Sequence, residues 1–263
     1  MLQSTMSLSR REVQLLAGWE RARRPLITIA DIRSEVGEAA AKHVARALVR
    51  KQALERIRRG IYLVRPFRAL GRHSSHSTAV MIAALLAGLP YYLGGLWALS
   101  FHRLTDQRFS TVVDAFVRNR LQARRLGAGK VRFHVVPSEK LAYGITNSEL
   151  AGVEVRVSDP ERTVLDSLDY PRVFGAVNRS VSLAAETLPR LNRQRLITYA
   201  AHGSRSSTCQ RVGLLLDRVG TSSRQLAPLR RKIRQTRSVL SLFPDAPRVG
   251  PINRIWNVVE NEK

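Results

Sequence analysis

The chain has 263 residues, with 44 basic and 20 acidic side chains and a formal net charge of +24. So large a positive charge favours a polyanionic partner such as a nucleic acid. The single cysteine excludes an internal disulfide and a cysteine-based zinc cluster, and it fits a reducing, cytoplasmic setting. The length allows two domains, or one large domain, with a sizeable buried core.

The first predicted element is an amphipathic helix from Ser9 to Arg24. Ser9 and Glu12 have the spacing of a capping box, in which each side chain binds the backbone of the other residue. Pro25 ends this helix. After it, Thr28 can cap a second helix, whose apolar residues recur every third or fourth position.

A third predicted helix follows the break at Gly37 and runs from Glu38 to about Gln52. Its inner stripe is apolar and consists of Ala40, Ala41, Val44, Ala47 and Leu48. Its outer stripe is basic and consists of Lys42, His43, Arg46, Lys51 and, at the margin, Arg50. A small helix with a dry inner face and a basic outer face is what the major groove of DNA can accept.

A predicted β-hairpin comes directly after this basic helix. Its strands are Leu54–Ile57 and Ile61–Val64, and Arg58-Arg59-Gly60 forms the tip. The two signals together favour a winged helix-turn-helix over a helical hairpin with a solvated charged face. In this hypothesis the DNA-binding side chains divide into three sets. Those facing the major groove are Lys42, His43, Arg46 and Arg50; those on the wing, reaching phosphates or the minor groove, are Arg58 and Arg59; Arg33 touches the DNA backbone.

The segment from Pro66 to Arg72 has the composition of a linker. The sequence therefore predicts a winged helix-turn-helix domain at residues 1–70 and a larger mixed α/β domain at residues 71–263. The predicted fold class is α+β.

The predicted second domain begins with an uncharged stretch, residues 77–101. This stretch is long enough to cross a membrane, but Gly88-Leu89-Pro90 and Gly94-Gly95 break it, so we expect two short buried helices and no membrane span. Two apolar runs, Ser110–Val117 and Lys130–Val136, predict strands joined by residues 118–129 as a turn or wide hairpin loop. Gly152–Ser158 alternates strictly, which indicates a half-buried strand.

A strong helix start follows at residues 158–161, where Ser158 can cap and Glu161 reciprocate. From Val173 to about Arg234 the pattern is helical in four pieces, with breaks at Pro189, Gly203 and Gly220. The tail carries two short strand-like runs, Val239–Phe243 and Arg254–Val259.

No set of residues predicts a catalytic site, a metal site or a cofactor. Residues 126–130 lack the first Gly and the Ser or Thr of a phosphate loop. His73 and His76 have no third metal ligand nearby. Asp217 has no acidic neighbour, as two-metal nucleotidyl transfer would require. Two remaining features have structural interpretations: Asp166 and Asp169, with Arg162, predict surface ion pairs, and Cys209 predicts a small buried apolar side chain.

Four segments together resemble a known family. They are RIRRGIYLV (Arg56–Val64), YYLGGLWALSFHRLTDQ (Tyr91–Gln107), VEVRVSDPERTVLDSLDYP (Val153–Pro171) and a tail with FPDAP and RIWNVVEN (Phe243–Asn261). In this order they resemble the AbiEi-type antitoxins of type IV toxin–antitoxin systems. The resemblance implies a transcriptional autorepressor that binds inverted repeats in its own operator DNA. It also implies an antitoxin domain that neutralises a nucleotidyltransferase toxin, whether or not the two proteins touch.

Two other classes of function stay open. One is a nucleotidyltransferase-like enzyme, against which the missing acidic pair argues. The other is a general RNA-binding factor, which the even spread of charge suits, although the sequence shows no exposed aromatic platform for stacking bases.

Overall fold

The computed structural model describes residues 7–67 and 76–262, and it is a mixed α+β structure. We call residues 7–67 the N-terminal unit and residues 76–262 the C-terminal unit. The predicted domain boundary at residue 70, most of the predicted linker and His73 lie outside the described residues. The elements of the N-terminal unit are α1 (Arg10–Arg21), β1 (Leu26–Thr28), α2 (Ile29–Val36), α3 (Glu38–Arg50), β2 (Leu54–Arg58) and β3 (Ile61–Val64).

Local sequence signals account for the ends of these helices. Ser9 and Glu12 form the predicted capping box at the start of α1, and Thr28 and Asp31 form another at the start of α2. Gly37 separates α2 from α3 with a φ of 85°, which favours glycine. The three predicted helices are thereby confirmed, each to within a few residues.

The helix α3 packs through an apolar face, as its pattern predicts, but two details differ. Its fully buried side chains are Ala41, Ala45 and Leu48, so the predicted inner stripe omitted Ala45. Lys51 was expected on the outer stripe and instead forms a 2.6 Å ion pair with Glu12, which joins the end of α3 to α1. The sequence-based assignment of Lys51 was wrong because the helix ends at Arg50 and the chain then turns inward.

The hairpin β2–β3 is extended into a three-stranded antiparallel sheet in the order β1-β3-β2. Strand β1 was not predicted. Two side chains of the hairpin, Ile57 and Leu63, belong to the apolar core of the C-terminal unit. There they belong to the same cluster as the buried residues of the helix at Thr78–Leu85. The hairpin is therefore shared between the cores of the two units.

The C-terminal unit is built on a six-stranded mixed sheet in the order β6-β7-β5-β4-β9-β8. In chain order, the helices and strands of this unit as far as β9 are α4 (Thr78–Leu85), β4 (Tyr91–Gly94), α5 (Gly95–Phe101), β5 (Val112–Val117), β6 (Arg124–Leu126), β7 (Gly129–Val135), β8 (Ile145–Leu150) and β9 (Val153–Ser158). One face of the sheet packs against α4 and the hairpin of the N-terminal unit. The other face packs against the remaining helices.

The strands β5 and β7 were predicted correctly, but the expectation of a hairpin between them was wrong. They pair in parallel, with Ala115 opposite Phe133. The intervening segment contains β6, which makes a tight antiparallel turn into β7. The chain therefore returns along the sheet edge before β7 inserts between β5 and β6, an arrangement that the local pattern does not reveal.

Helices cover the second face of the sheet. They are α6 (Pro160–Asp169), α7 (Pro171–Phe174), α8 (Val177–Thr187), α9 (Arg193–Gly203), α10 (Ser206–Arg218) and α11 (Ala227–Ile233). The predicted breaks at Pro189, Gly203 and Gly220 are confirmed. At the start of α6 the capping residue is Asp159 and not Ser158, because Ser158 is the last residue of β9 and its hydroxyl bonds to that of Thr163 at 2.7 Å.

The tail forms a small sheet of β10 (Leu240–Ser241), β11 (Ile252–Asn253) and β12 (Val258–Val259). Trp256, in the turn before β12, is fully buried against α10 at Gly213. Its indole N–H donates to Asp217 at 3.1 Å. The tail is thus anchored into the core by one large aromatic side chain.

In the described part of the chain, no helix is long and apolar enough to cross a membrane. The uncharged stretch at residues 77–101 is divided into α4, β4 and α5. Strand β4, which lies at the centre of the sheet, was not predicted there.

Candidate nucleic-acid interface

The outer face of α3 brings together the basic side chains that the sequence predicted to contact DNA. Lys42, His43, Arg46 and Arg50 are all exposed. The buried residues of the same helix, Ala41, Ala45 and Leu48, fix its opposite face in the core. Because packing holds the inner face, the outer face is a basic surface in a fixed position. The helix has one acidic residue, Glu38, at its first position.

Arg33 lies on α2, beside the start of α3. Its guanidinium forms an ion pair with Glu38, and both side chains are exposed. An exposed ion pair of this kind contributes at most about 1 kcal/mol, so a phosphate can compete with Glu38 for the arginine.

The two arginines at the hairpin tip have different surroundings. Arg59 is exposed. Arg58 is also exposed, but its Nη2 donates to the carbonyl of Ala87, just beyond α4, at 3.1 Å. Arg58 therefore joins the hairpin to the C-terminal unit, a role that the sequence did not predict.

A second basic segment that sequence reasoning missed lies next to Arg58. Four exposed arginines follow β5: Arg118 and Arg120 lie in the connection to β6, and Arg124 and Arg125 are the first two residues of β6. Arg58, Gln122 and Arg124 line the same surface depression. This segment was interpreted only as a hairpin loop, and its cluster of arginines was the signal that could have identified it.

The charged residues of α6 form a buried network instead of the predicted surface ion pairs. Arg162 and Asp166 are each 1% exposed. The guanidinium binds Asp166 at 2.8 Å and donates to the hydroxyl of Tyr92 at 3.0 Å, while that hydroxyl donates to the other oxygen of Asp166 at 2.8 Å. Burial raises the pKa of Tyr92 well above its usual value. The triangle is closed to solvent, which suits a structural role.

Asp169 was also expected at the surface and is instead 3% exposed. It accepts hydrogen bonds from Lys140 at 2.9 Å and from Thr208 at 2.7 Å. The prediction of surface ion pairs was wrong because the i,i+4 spacing is the same on a buried helix as on an exposed one.

Another buried carboxylate, Asp114, was not identified from the sequence. It lies on β5 opposite Arg132 of β7, which binds it with two hydrogen bonds of 2.8 and 2.9 Å. His134 lies 2.7 Å from the same carboxylate. These contacts hold the parallel strands together at the helix-covered face.

The described residues contain no group of three or more His, Cys, Asp or Glu side chains that could hold a metal ion. The His76 ring lies 3.0 Å from the carbonyl of Val64, and burial lowers its pKa. Cys209 is buried, as predicted, and burial raises its pKa to about 12.

No protein-family model and no curated protein matches the chain. Among solved structures, the chain is similar to the crystal structure of the Rv2827c protein from Mycobacterium tuberculosis. The two are 16% identical, and the TM-score is 0.64 over 96% of this chain and 92% of the other. The likeness at this identity concerns the fold, which is therefore shared along nearly the whole chain.

Proposed function

We propose that the N-terminal unit is a winged helix-turn-helix, in which α3 enters the major groove of duplex DNA and the β2–β3 hairpin is the wing. The observation that carries this proposal is the exposed basic face of α3, held rigidly by the apolar side chains beneath it. Lys42, Arg46 and Arg50 supply positive charge for phosphates and base edges, and His43 lies on the same face.

The wider proposal is that the chain is a cytoplasmic, non-enzymatic regulator of the AbiEi antitoxin type. It would repress its own operon at inverted repeats and neutralise a nucleotidyltransferase toxin. The support is the family resemblance of its four sequence segments together with the basic face of α3. Reading the gene that follows its own would show whether a toxin of that class is encoded there.

We expect duplex DNA carrying the promoter to bind with a steep dependence on salt. Each phosphate neutralised by Lys or Arg releases counterions, so log K falls with log salt by about 0.9 per contact. Arg46→Ala should cost roughly 1–3 kcal/mol and relax sequence preference at one position if it binds a base edge. Arg59→Ala should weaken binding to every sequence about equally. Fluorescence anisotropy over a range of salt concentrations measures both effects.

Arg58→Ala provides a comparison for Arg59→Ala, because Arg58 also binds the C-terminal unit. A binding constant that hardly changes between low and physiological salt would contradict the proposed interface. A loss of sequence preference in Arg59→Ala, with none in Arg46→Ala, would mean that the wing contacts the bases and α3 contacts the phosphates, the reverse of the proposal.

We also expect the antitoxin activity to be separable from DNA binding. A full-length variant with Lys42, Arg46 and Arg50 changed to Ser should still rescue cells from the toxin when both proteins are expressed from unrelated promoters. The full chain is preferable to residues 71–263 alone, because removing the hairpin would take Ile57 and Leu63 out of the core of the C-terminal unit. Failure of the variant to rescue, with normal protein levels, would mean that neutralisation needs DNA binding.

A further inference from the structure

The helix α9 carries an exposed stripe that neither its sequence nor the proposed DNA interface explains. Arg195, Tyr199 and His202 lie at positions i, i+4 and i+7 and therefore share one face. Arg195 and His202 are exposed and Tyr199 is half-buried, while Leu196, Ile197 and Ala200 form the buried face. Aromatic and basic side chains thus alternate along the outer surface of this helix.

A third ring, from a distant part of the chain, completes the stripe. Tyr143 precedes β8, and its ring centroid lies 5.4 Å from that of Tyr199 and 5.1 Å from that of His202. Tyr143 lies directly across Gly203, where the Cβ of any other residue would overlap its hydroxyl. The rings of Tyr143, Tyr199 and His202 form a cluster that we call the aromatic platform.

The aromatic platform is held in place from beneath. The guanidinium of the buried Arg162 lies 4.3 Å from the centroid of the Tyr143 ring. The hydroxyl of Tyr199 donates to Asp159 at 2.9 Å, and burial together with this contact raises the pKa of Tyr199 to about 12. The two tyrosine rings therefore have fixed positions before any ligand arrives, which lowers the entropic cost of binding.

The charge around the aromatic platform favours an anionic ligand. Residues 190–205 contain Arg190, Arg193, Arg195 and Arg205 and no acidic residue. The carboxylates beside Tyr199, Asp159 and Glu161, are buried, and the guanidinium of Arg195 lies 4.0 and 3.6 Å from them with its side chain 51% exposed. On the Tyr143 side, Glu139 is exposed. The solvent-facing charge along α9 is accordingly positive.

We propose that the aromatic platform, together with Arg195 on the same face of α9, binds unpaired nucleotides of a single-stranded nucleic acid. Bases stack on aromatic rings when they are not paired, and arginines beside the rings bind the phosphates. A duplex does not expose the faces of its bases, so this ligand differs from the duplex proposed for α3. The site lies on other residues than the DNA interface and stands independently of it.

The test measures binding of the full-length protein to a labelled 12-nucleotide RNA, to DNA of the same sequence, and to the matching duplex. The chain carrying Ser at positions 42, 46 and 50 is used as the background, so that binding by α3 does not contribute. We expect single strands to bind this background protein better than the duplex does. The RNA and single-stranded DNA arms show whether the 2′-hydroxyl contributes.

The variants separate stacking from charge and from folding. His202→Ala and Tyr199→Leu together should weaken single-strand binding by about tenfold or more, since stacking of one base contributes that much. Tyr199→Phe is the matched control, because it keeps the ring and loses only the bond to Asp159. Arg195→Ser should reduce the salt dependence. Each variant should unfold at the same temperature as the background protein, and His202→Ala alone tests the site if Tyr199→Leu does not fold.

Three outcomes would overturn the proposal. They are no binding of either single strand, equal binding of duplex and single strand, and a ring-removing variant no weaker than Tyr199→Phe. In each case promoter binding by the wild-type α3 could persist, so the two proposals fail separately. Ultraviolet crosslinks of the RNA that map to Tyr199 or His202 would support the aromatic platform directly.

Discussion

Asp166→Ala is expected to destabilise the folded chain by about 3–5 kcal/mol, because it leaves the Arg162 guanidinium buried without its counter-charge. Arg162 would keep a hydrogen bond to Tyr92 and a 3.3 Å contact with the carbonyl of Tyr143, and neither carries a full negative charge. The measurement is chemical denaturation followed by circular dichroism, which reports on the whole chain.

Two variants control this experiment. Asp106→Ala removes an exposed carboxylate from the same unit and should change the free energy of unfolding by no more than about 0.5 kcal/mol. Replacing the pair together, as Arg162→Met with Asp166→Leu, should recover much of the loss, since apolar side chains of similar volume need no charge partner. A double variant as unstable as Asp166→Ala would show that the geometry of the network, and not the unpaired charge, determines the stability.

Trp256→Ala is the second large change, with an expected loss of about 3–5 kcal/mol for removing a fully buried aromatic side chain. The indole also binds Asp217, which would lose this donor. Because Trp256 anchors the tail on α10, the variant should also expose residues 238–262 to limited proteolysis at temperatures where the wild-type chain resists it.

Gly213 tests the same contact from the other side. A Cβ at this position would overlap the six-membered ring of Trp256, so Gly213→Ala should cost about 1–3 kcal/mol. Gly18 is the matched control, because it also lies within a helix but has no atom within 4 Å of the Cβ position. Gly18→Ala should therefore stabilise the chain by about 0.5–1 kcal/mol.

The double variant gives the decisive comparison. If the cost of Gly213→Ala arises from overlap with the indole, then adding this substitution to Trp256→Ala should cause almost no further loss of stability. The effects of substitutions on the free energy of unfolding are not additive when the two residues are in contact. Additive losses would mean that Gly213 is required for another reason, such as the path of α10 itself.

Local patterns in the sequence determine the parts of this fold that depend on neighbouring residues. The capping boxes of α1 and α2 and the basic outer face of α3 follow from spacings of three or four residues, and the break at Gly37 follows from the positive φ that glycine allows. Such spacings determine which side chains share a helix face, and the apolar side of α3 must be buried. The amino-acid sequence by itself is therefore enough to nominate the candidate DNA-binding residues of α3.

Tertiary packing decides what those spacings cannot. The i,i+4 pair of Arg162 and Asp166 has the same pattern in the core as at the surface, and only the helices packed around α6 bury it. The parallel pairing of β5 with β7 depends on how the chain crosses the sheet edge, which no short segment encodes. Tyr143 meets Tyr199 and His202 only because the segment before β8 and the helix α9 both pack against α6, so contacts between distant segments create the aromatic platform.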